Sequence, residues 1–257
     1  MIGKKMGSLQ LNSLIKQFGK NTDGRIAVNG ISLEVTQGEM VGIIGKSGAG
    51  KSTLLRMINR LVEPTSGSIS FDGTDVTSLK GKALKKWRSE CAMIFQQFHL
   101  IDRLDVLTNV LTGTLGRRYN ILNLLKIFPK EEKINALKAL HKLDLLGKAL
   151  QRVETLSGGE QQRVAIARAL MQKPKILLAD EPISSLDPKN SKIVMDDIKK
   201  INNEEGITVI CNLHSLEVAK QYSKRLIGLS EGKIVFDGPP ENLTQELSQE
   251  LYDLENE

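Results

Sequence analysis

Cysteine is nearly absent from this chain: its 257 residues hold two, Cys91 and Cys211. Each sits in an apolar, strand-like run with no CxxC or Cys/His spacing around it. That excludes a metal pair and argues for buried free thiols in a reducing compartment. Long apolar runs are missing as well. No stretch approaches the roughly 18 consecutive apolar residues of a membrane span. The N-terminus, MIGKKMGSLQL, has two lysines but no apolar core, so it does not read as a secretory signal. The expectation is a cytoplasmic protein that reaches a membrane only through a partner. Aromatics are few, at 4%, and there is no internal repeat or low-complexity tract. What remains is a globular composition, 40% apolar and 26% charged, sufficient for a real core. The net charge of +6 fits an anionic ligand, a membrane surface or nucleic acid, and separates them poorly.

The pattern along the chain alternates strand and helix. Leu9 and Leu11, then Ile31, Leu33 and Val35, alternate with polar residues as strands with one wet face do, with a turn over 21–24 between them. Met40 to Ile44 is almost wholly apolar, as in a buried central strand. Ser52 to Arg60 reads as helix, and Asp72-Gly73 as a hairpin turn after strand Ser68 to Phe71. From about Phe98 to Thr155 helical periodicity dominates. Pro129 sits at a helix start, Ile134, Leu137, Leu140 and Leu143–Asp144 follow the period, and Gly147 lies beyond the end. The stretch 116–133 mixes basic and apolar residues, which suits either a solvated loop or contact with a membrane partner. The α/β pattern then resumes: helix Gly158 to Gln172, strand Ile176 to Ala179, helix Pro188 to Asn203, strand Ile207 to Leu213, helix Leu216 to Ser223. A hairpin turns at Glu231-Gly232, and an acidic tail starts at Glu241. Such alternation predicts a largely parallel sheet covered on both faces.

Three motifs carry chemistry. Gly45 to Ser52 reads GKSGAGKS, a phosphate-binding loop between strand and helix, where backbone N–H groups converge on phosphate oxygens. Gly45, Gly48 and Gly50 clear the approach, and Lys51 brings a charge to the β- and γ-phosphates. Ser52 offers a hydroxyl to Mg²⁺. Lys46, Ser47, Ala49 and the following Thr53 complete the nucleotide-contacting set. The second motif, ILLADEP, delivers Asp180 to Mg²⁺ at a strand end and Glu181 to the attacking water. His214 closes a later strand, where it can sense the γ-phosphate. His99 and His141 carry no such placement and read as structural. The third motif, LSGGEQQR at Leu156 to Arg163, lies about a hundred residues after the loop. A serine and two glycines opening a helix make a further anion site.

Together with the following SSLDP, these motifs resemble the ATP-binding cassette ATPase subunits along essentially the whole chain. The resemblance implies an α/β fold: a P-loop NTPase (RecA-like) core with a mostly parallel sheet, an N-terminal antiparallel β subdomain and an inserted α-helical subdomain. It implies one domain, with the core over about 1–98 and 160–240, the helical part over about 99–159, and a helical tail over 241–257. It implies that Ser157, Gly158 and Gly159 hold the γ-phosphate of ATP bound by a second copy. Gln96 matches the glutamine that links Mg²⁺ and water to the helical part, Phe18 the aromatic that stacks on adenine, and Asp187 the loop that couples two sites. Lys46 departs from the family's usual proline or small residue. NLHS departs from the commoner THD, and points to one subgroup. With NVLTGTLGRR, INNEEGITVI and RLIGLSEGKIVFDGPP it resembles the ATPase subunit of phosphonate importers.

The implied function is ATP hydrolysis by a head-to-tail homodimer at the cytoplasmic face of a membrane. Dimer closure would drive a separate permease served by an extracytoplasmic binding protein, with no nucleic acid involved. Import of methionine or other amino acids, and lipoprotein release or export, stay open, because this subunit does not touch the cargo. A soluble member acting on DNA or ribosomes would be expected to carry a long coiled coil or a second P-loop, and neither is present.

Overall fold

The computed structural model describes residues 7–19, 24–116 and 128–252. Most of the expected turn at 21–24 and of the mixed basic stretch 116–133 lies outside the described residues.

Two sheets organise the chain. Strands β1 (Ser8–Phe18), β2 (Arg25–Thr36), β4 (Ser66–Phe71) and β5 (Thr74–Asp75) form an antiparallel sheet in the order β2-β1-β4-β5. The second sheet has the order β10-β9-β3-β8-β7-β6. Its members are β3 (Met40–Ile44), β6 (Cys91–Ile94), β7 (Ile176–Asp180), β8 (Thr208–Asn212), β9 (Arg225–Ser230) and β10 (Lys233–Gly238). All its pairings are parallel except the β9–β10 hairpin. The expected α/β class with a mostly parallel sheet and an antiparallel N-terminal sheet is what the chain adopts.

Alternation within the buried strands divides the core in two. Val41 and Ile43, Ile176 and Leu178, and Ile227 and Leu229 face the antiparallel sheet and helix α1 (Lys51–Ile58). Met40 and Ile44, Leu177 and Ala179, and Val209 and Cys211 face the other way, toward α5 (Gly158–Leu170) and α6 (Pro188–Glu205). A strand buried on both faces can afford no polar alternation, which is why these runs read as continuous apolar blocks. The helical stretch, with α3 (Val106–Leu111) and α4 (Lys130–Lys142), has no core of its own. Val110, Ala136 and Leu140 belong to the same apolar cluster as the second face of the sheet.

Four local expectations need correction. Helix α1 stops at Ile58 instead of Arg60. The indole N–H of Trp87 takes the Ile58 carbonyl at 2.9 Å, and Arg60 is left-handed at φ 60°. The element carrying Trp87, α2 (Gly81–Glu90), was not anticipated. Helix α4 ends at Lys142, because the N–H groups of Leu143 and Leu145 both turn back to the Leu140 carbonyl around a left-handed Asp144. Gly147 lies in a separate 3-10 turn, Leu146–Lys148. Ile134 faces solvent, 42% exposed, while Glu132 is buried on the inward stripe with Ala136 and Leu140. Beyond these, α7 (Leu216–Tyr222) and α8 (Gln245–Tyr252) complete the described helices.

Candidate functional site

Strand β3 lies between β8 and β9, so the loop that follows it emerges at the middle of the sheet's carboxyl edge. That loop runs into α1, whose first residue is Lys51. Nζ of Lys51 is buried and donates to the carbonyls of Gly45 at 2.5 Å and Lys46 at 3.0 Å. The loop therefore closes around its own lysine. Burial lowers the lysine pKa, and the nearby charges of Glu181 and Asp180 oppose that shift. Gly50 precedes the helix at φ 103°, and a Cβ there would come within 2.1 Å of the Ala27 carbonyl oxygen. Only glycine allows β2 to pass so close beneath the loop.

A cleft of about 300 Å³ opens above this loop. Ser47, Gly48, Gly50, Lys51, Ser52 and Thr53 line one side. Phe18, Arg25, Ala27 and Glu181 line the rest. Ala49 is buried behind it, with its carbonyl accepting from the Gly232 N–H at 3.1 Å. Phe18 is 45% exposed at the cleft mouth, with the Lys16 ammonium 5.0 Å from its ring.

At the end of β7, Asp180 is buried and held by three donors. Its Oδ1 accepts from Ser52 Oγ at 2.7 Å and from Asn212 Nδ2 at 2.8 Å, and its Oδ2 lies 3.5 Å from Arg56. β7 and β8 are in register with Asp180 opposite Asn212, so the sheet itself sets this contact. Glu181 then leaves the strand in the left-handed region, φ 53°. A non-glycine residue there is strained, and the strain turns its side chain out of the sheet line. Its Oε1 lies 2.5 Å from Nε2 of His214, two residues past β8.

The remaining expected residues lie elsewhere. Ser157 caps α5: its hydroxyl accepts from the Glu160 N–H, and the Glu160 carboxylate accepts from the Ser157 N–H at 3.0 Å. Lys148 pairs with Glu160 and leads the lowering of its pKa. Ser157 and Gly158 are exposed, Gly159 is buried, and none of the three lines the cleft of its own chain. Asp187 caps α6, accepting from the Asn190 backbone at 3.0 Å and side chain at 2.5 Å; these bonds lower its pKa. Gln96 is exposed just past the carboxyl end of β6, and is not among the cleft residues.

Sequence reasoning missed Arg25, Ala27, Arg56 and Asn212. Arg56 had a signal, since it falls four residues after Ser52 on one helix face. Asn212 had one in its place just before His214. Arg25 and Ala27 had none, because they reach the cleft only through sheet pairing.

The geometry meets known proteins at this point. Residues 28–184 match the ABC transporter family. A phosphonates import ATP-binding protein PhnC of Rhizobium meliloti is 58% identical over 246 residues, covering 96% of this chain and 87% of that protein. Its namesake in Rhizobium etli is 57% identical over 243 residues, covering 95% and 85%. Among solved structures, the dimeric post-hydrolysis state of the ATP-binding cassette MJ0796, bound to ADP and Pi, is similar at TM-score 0.79 and 34% identity. It spans 90% of this chain and 98% of that one. The motifs, the cleft built on them and the likeness over nearly the full length converge: the chain belongs to the ABC transporter family.

Proposed function

We propose that this chain is the ATP-hydrolysing subunit of an importer that takes up phosphonates or related phosphorus oxyanions. The observation that carries the reading is the convergence of Lys51, Ser52, Asp180 and the Glu181–His214 pair on one sheet edge. The cargo assignment follows the relatives, which are named for phosphonate import at 57–58% identity.

The residue roles follow from chemistry. The N–H groups of the loop from Gly45 to Ser52 hold the phosphates, and Lys51 leaves its carbonyl partners for the phosphate charge. Phe18 stacks on the base. Glu181 orients and deprotonates the attacking water, and His214 contacts the γ-phosphate. Ser52 and Asp180 fit Mg²⁺. Two hard oxygens already stand 2.7 Å apart, and Mg²⁺ uses few carboxylates beside phosphates. When bound, Mg²⁺ neutralises charge on the phosphate oxygens. Gln96 joins this set when the helical part moves against the sheet.

Ser157, Gly158 and Gly159 serve the nucleotide of a second copy. Their place at the start of α5 away from their own cleft, with Ser157 and Gly158 exposed, supports a head-to-tail dimer, as does the dimeric relative. Asp187, close behind on α6, links the two sites. Among the described residues no helix is long and apolar enough to cross a membrane. In the importer reading the subunit works peripherally on a separate permease, at the cytoplasmic face, with a binding protein delivering cargo outside.

The test is ATPase activity of the reconstituted transporter against alkylphosphonates, phosphite, phosphate, methionine and polar amino acids. Stimulation by phosphonates, lost in Glu181→Gln, is the expected result. Stimulation by an amino acid alone would replace the cargo. Ligand-independent turnover by the isolated subunit would overturn the importer reading.

A further inference from the structure

Arg25 opens β2 directly opposite Phe18 in the β1–β2 register. Cross-strand pairing thus carries both side chains to the same cleft mouth, above the phosphate loop. Nη2 of Arg25 donates to the Gly48 carbonyl at 3.1 Å. The guanidinium lies so near Gly48 that a Cβ there would come within 2.9 Å of Nη2. A side chain at position 48 would displace it.

The two cations of the cleft are differently engaged. Lys51 is buried and has turned two of its donors onto loop carbonyls. Arg25 is exposed at the mouth. A guanidinium presents five N–H donors in a rigid plane, so its one bond among the described residues, to Gly48, leaves four. That fork matches pairs of phosphate oxygens better than an ammonium does. Its anchor is a carbonyl of the phosphate loop itself, while the ring face for a base is already supplied by Phe18.

We propose that Arg25 is a second cationic binding residue, gripping the diphosphate part of the nucleotide from the β1–β2 hairpin while it holds the Gly48 carbonyl. The inference rests on the nucleotide-binding reading above and deepens it. ADP and ATP share that diphosphate, so Arg25 serves both equally. The hairpin is then tied to the phosphate loop most firmly when nucleotide is bound.

Calorimetric titration of the full chain with MgADP, MgATP and magnesium pyrophosphate tests this. In Arg25→Ala, affinity for all three is expected to fall about 10-fold, the weight of one charge-assisted contact. Arg25→Lys should recover part of the loss, since it keeps the charge and loses the fork. Unchanged affinities in Arg25→Ala overturn the inference. Weaker nucleotide binding with unchanged pyrophosphate affinity also overturns it, and moves Arg25 to the base or ribose. Should Arg25→Ala not fold, Arg25→Lys decides: wild-type pyrophosphate affinity in it refutes the forked contact, and a few-fold loss upholds it. A wild-type chain that binds no nucleotide would fail the proposed function itself, a result distinct from all of these.

Discussion

Glu181 and His214 are partners: Oε1 of the glutamate meets Nε2 of the histidine at 2.5 Å, from the ends of adjacent parallel strands. The base proposed for hydrolysis is thus held by the group proposed to read the γ-phosphate. Glu181→Gln keeps the shape and removes the charge. Nucleotide affinity should stay within a few-fold of wild type, while turnover drops about 100-fold or more, the typical weight of a general base. ATP should then trap a closed dimer, visible by light scattering. Normal turnover would remove Glu181 from its role.

Gly159 bears on the second half of the proposed composite site. A Cβ there would come within 2.6 Å of Asn190 Oδ1 and 2.9 Å of its Cβ, and Asn190 is held by Asp187. Gly159→Ala should cost about 1–3 kcal/mol by overpacking, read from thermal melts. ADP binding to the isolated chain should be untouched, because Gly159 is outside the cleft. ATP-driven dimerisation should fall sharply. A variant that dimerises like wild type would contradict the trans assignment.

Asp197 supplies a pH dependence. Its Oδ2 is buried with no hydrogen-bond partner among the described residues. Burial raises its pKa from 3.8 to about 6; the charge of Arg163 opposes this and that of Asp144 adds to it. The folded state binds this proton more tightly than the unfolded chain does. Stability from this group is therefore complete below about pH 4 and is lost as pH rises through about 6. Asp197→Asn should gain thermal stability relative to wild type at pH 7.5, and show less advantage at pH 4. An equal advantage at both would exclude titration as the cause.

The two thiols should be inert. Cys91 and Cys211 are fully buried in the sheet, and burial pushes both thiols far up in pKa. Reaction with a thiol reagent at pH 8 should be slow in the native protein and complete after denaturation. Rapid labelling of either one would show local opening of its strand.

The motifs were legible because their chemistry is local. A loop that binds phosphate needs consecutive backbone groups, so Gly45 to Ser52 stand together in the chain, as do Asp180 and Glu181. Buried strands such as Met40–Ile44 and Ile176–Asp180 were legible because both faces are apolar. Arg25 and Ala27 were not, since their approach to the loop depends on the β1–β2 register. Helix α2 was missed because it buries little: Trp87 and Ser89 are its only buried residues. The end of α4 was misread because Leu143 is apolar and buried yet turns outside the helix. Periodicity reports burial, and burial continues past a helix end.

The Gly232 amide donates to Ala49, and its carbonyl accepts from Asn29, so the β9–β10 turn rests on both the phosphate loop and the N-terminal sheet. Strand β3 is likewise flanked by β8 and β9. β2 braces the phosphate loop from just before it in the chain, while β8, β9 and the β9–β10 turn brace it from some 160–180 residues beyond (about 208–232 in the chain). The shape of the loop thus depends on contacts distant in sequence, and it is expected to reach its nucleotide-ready form late in folding.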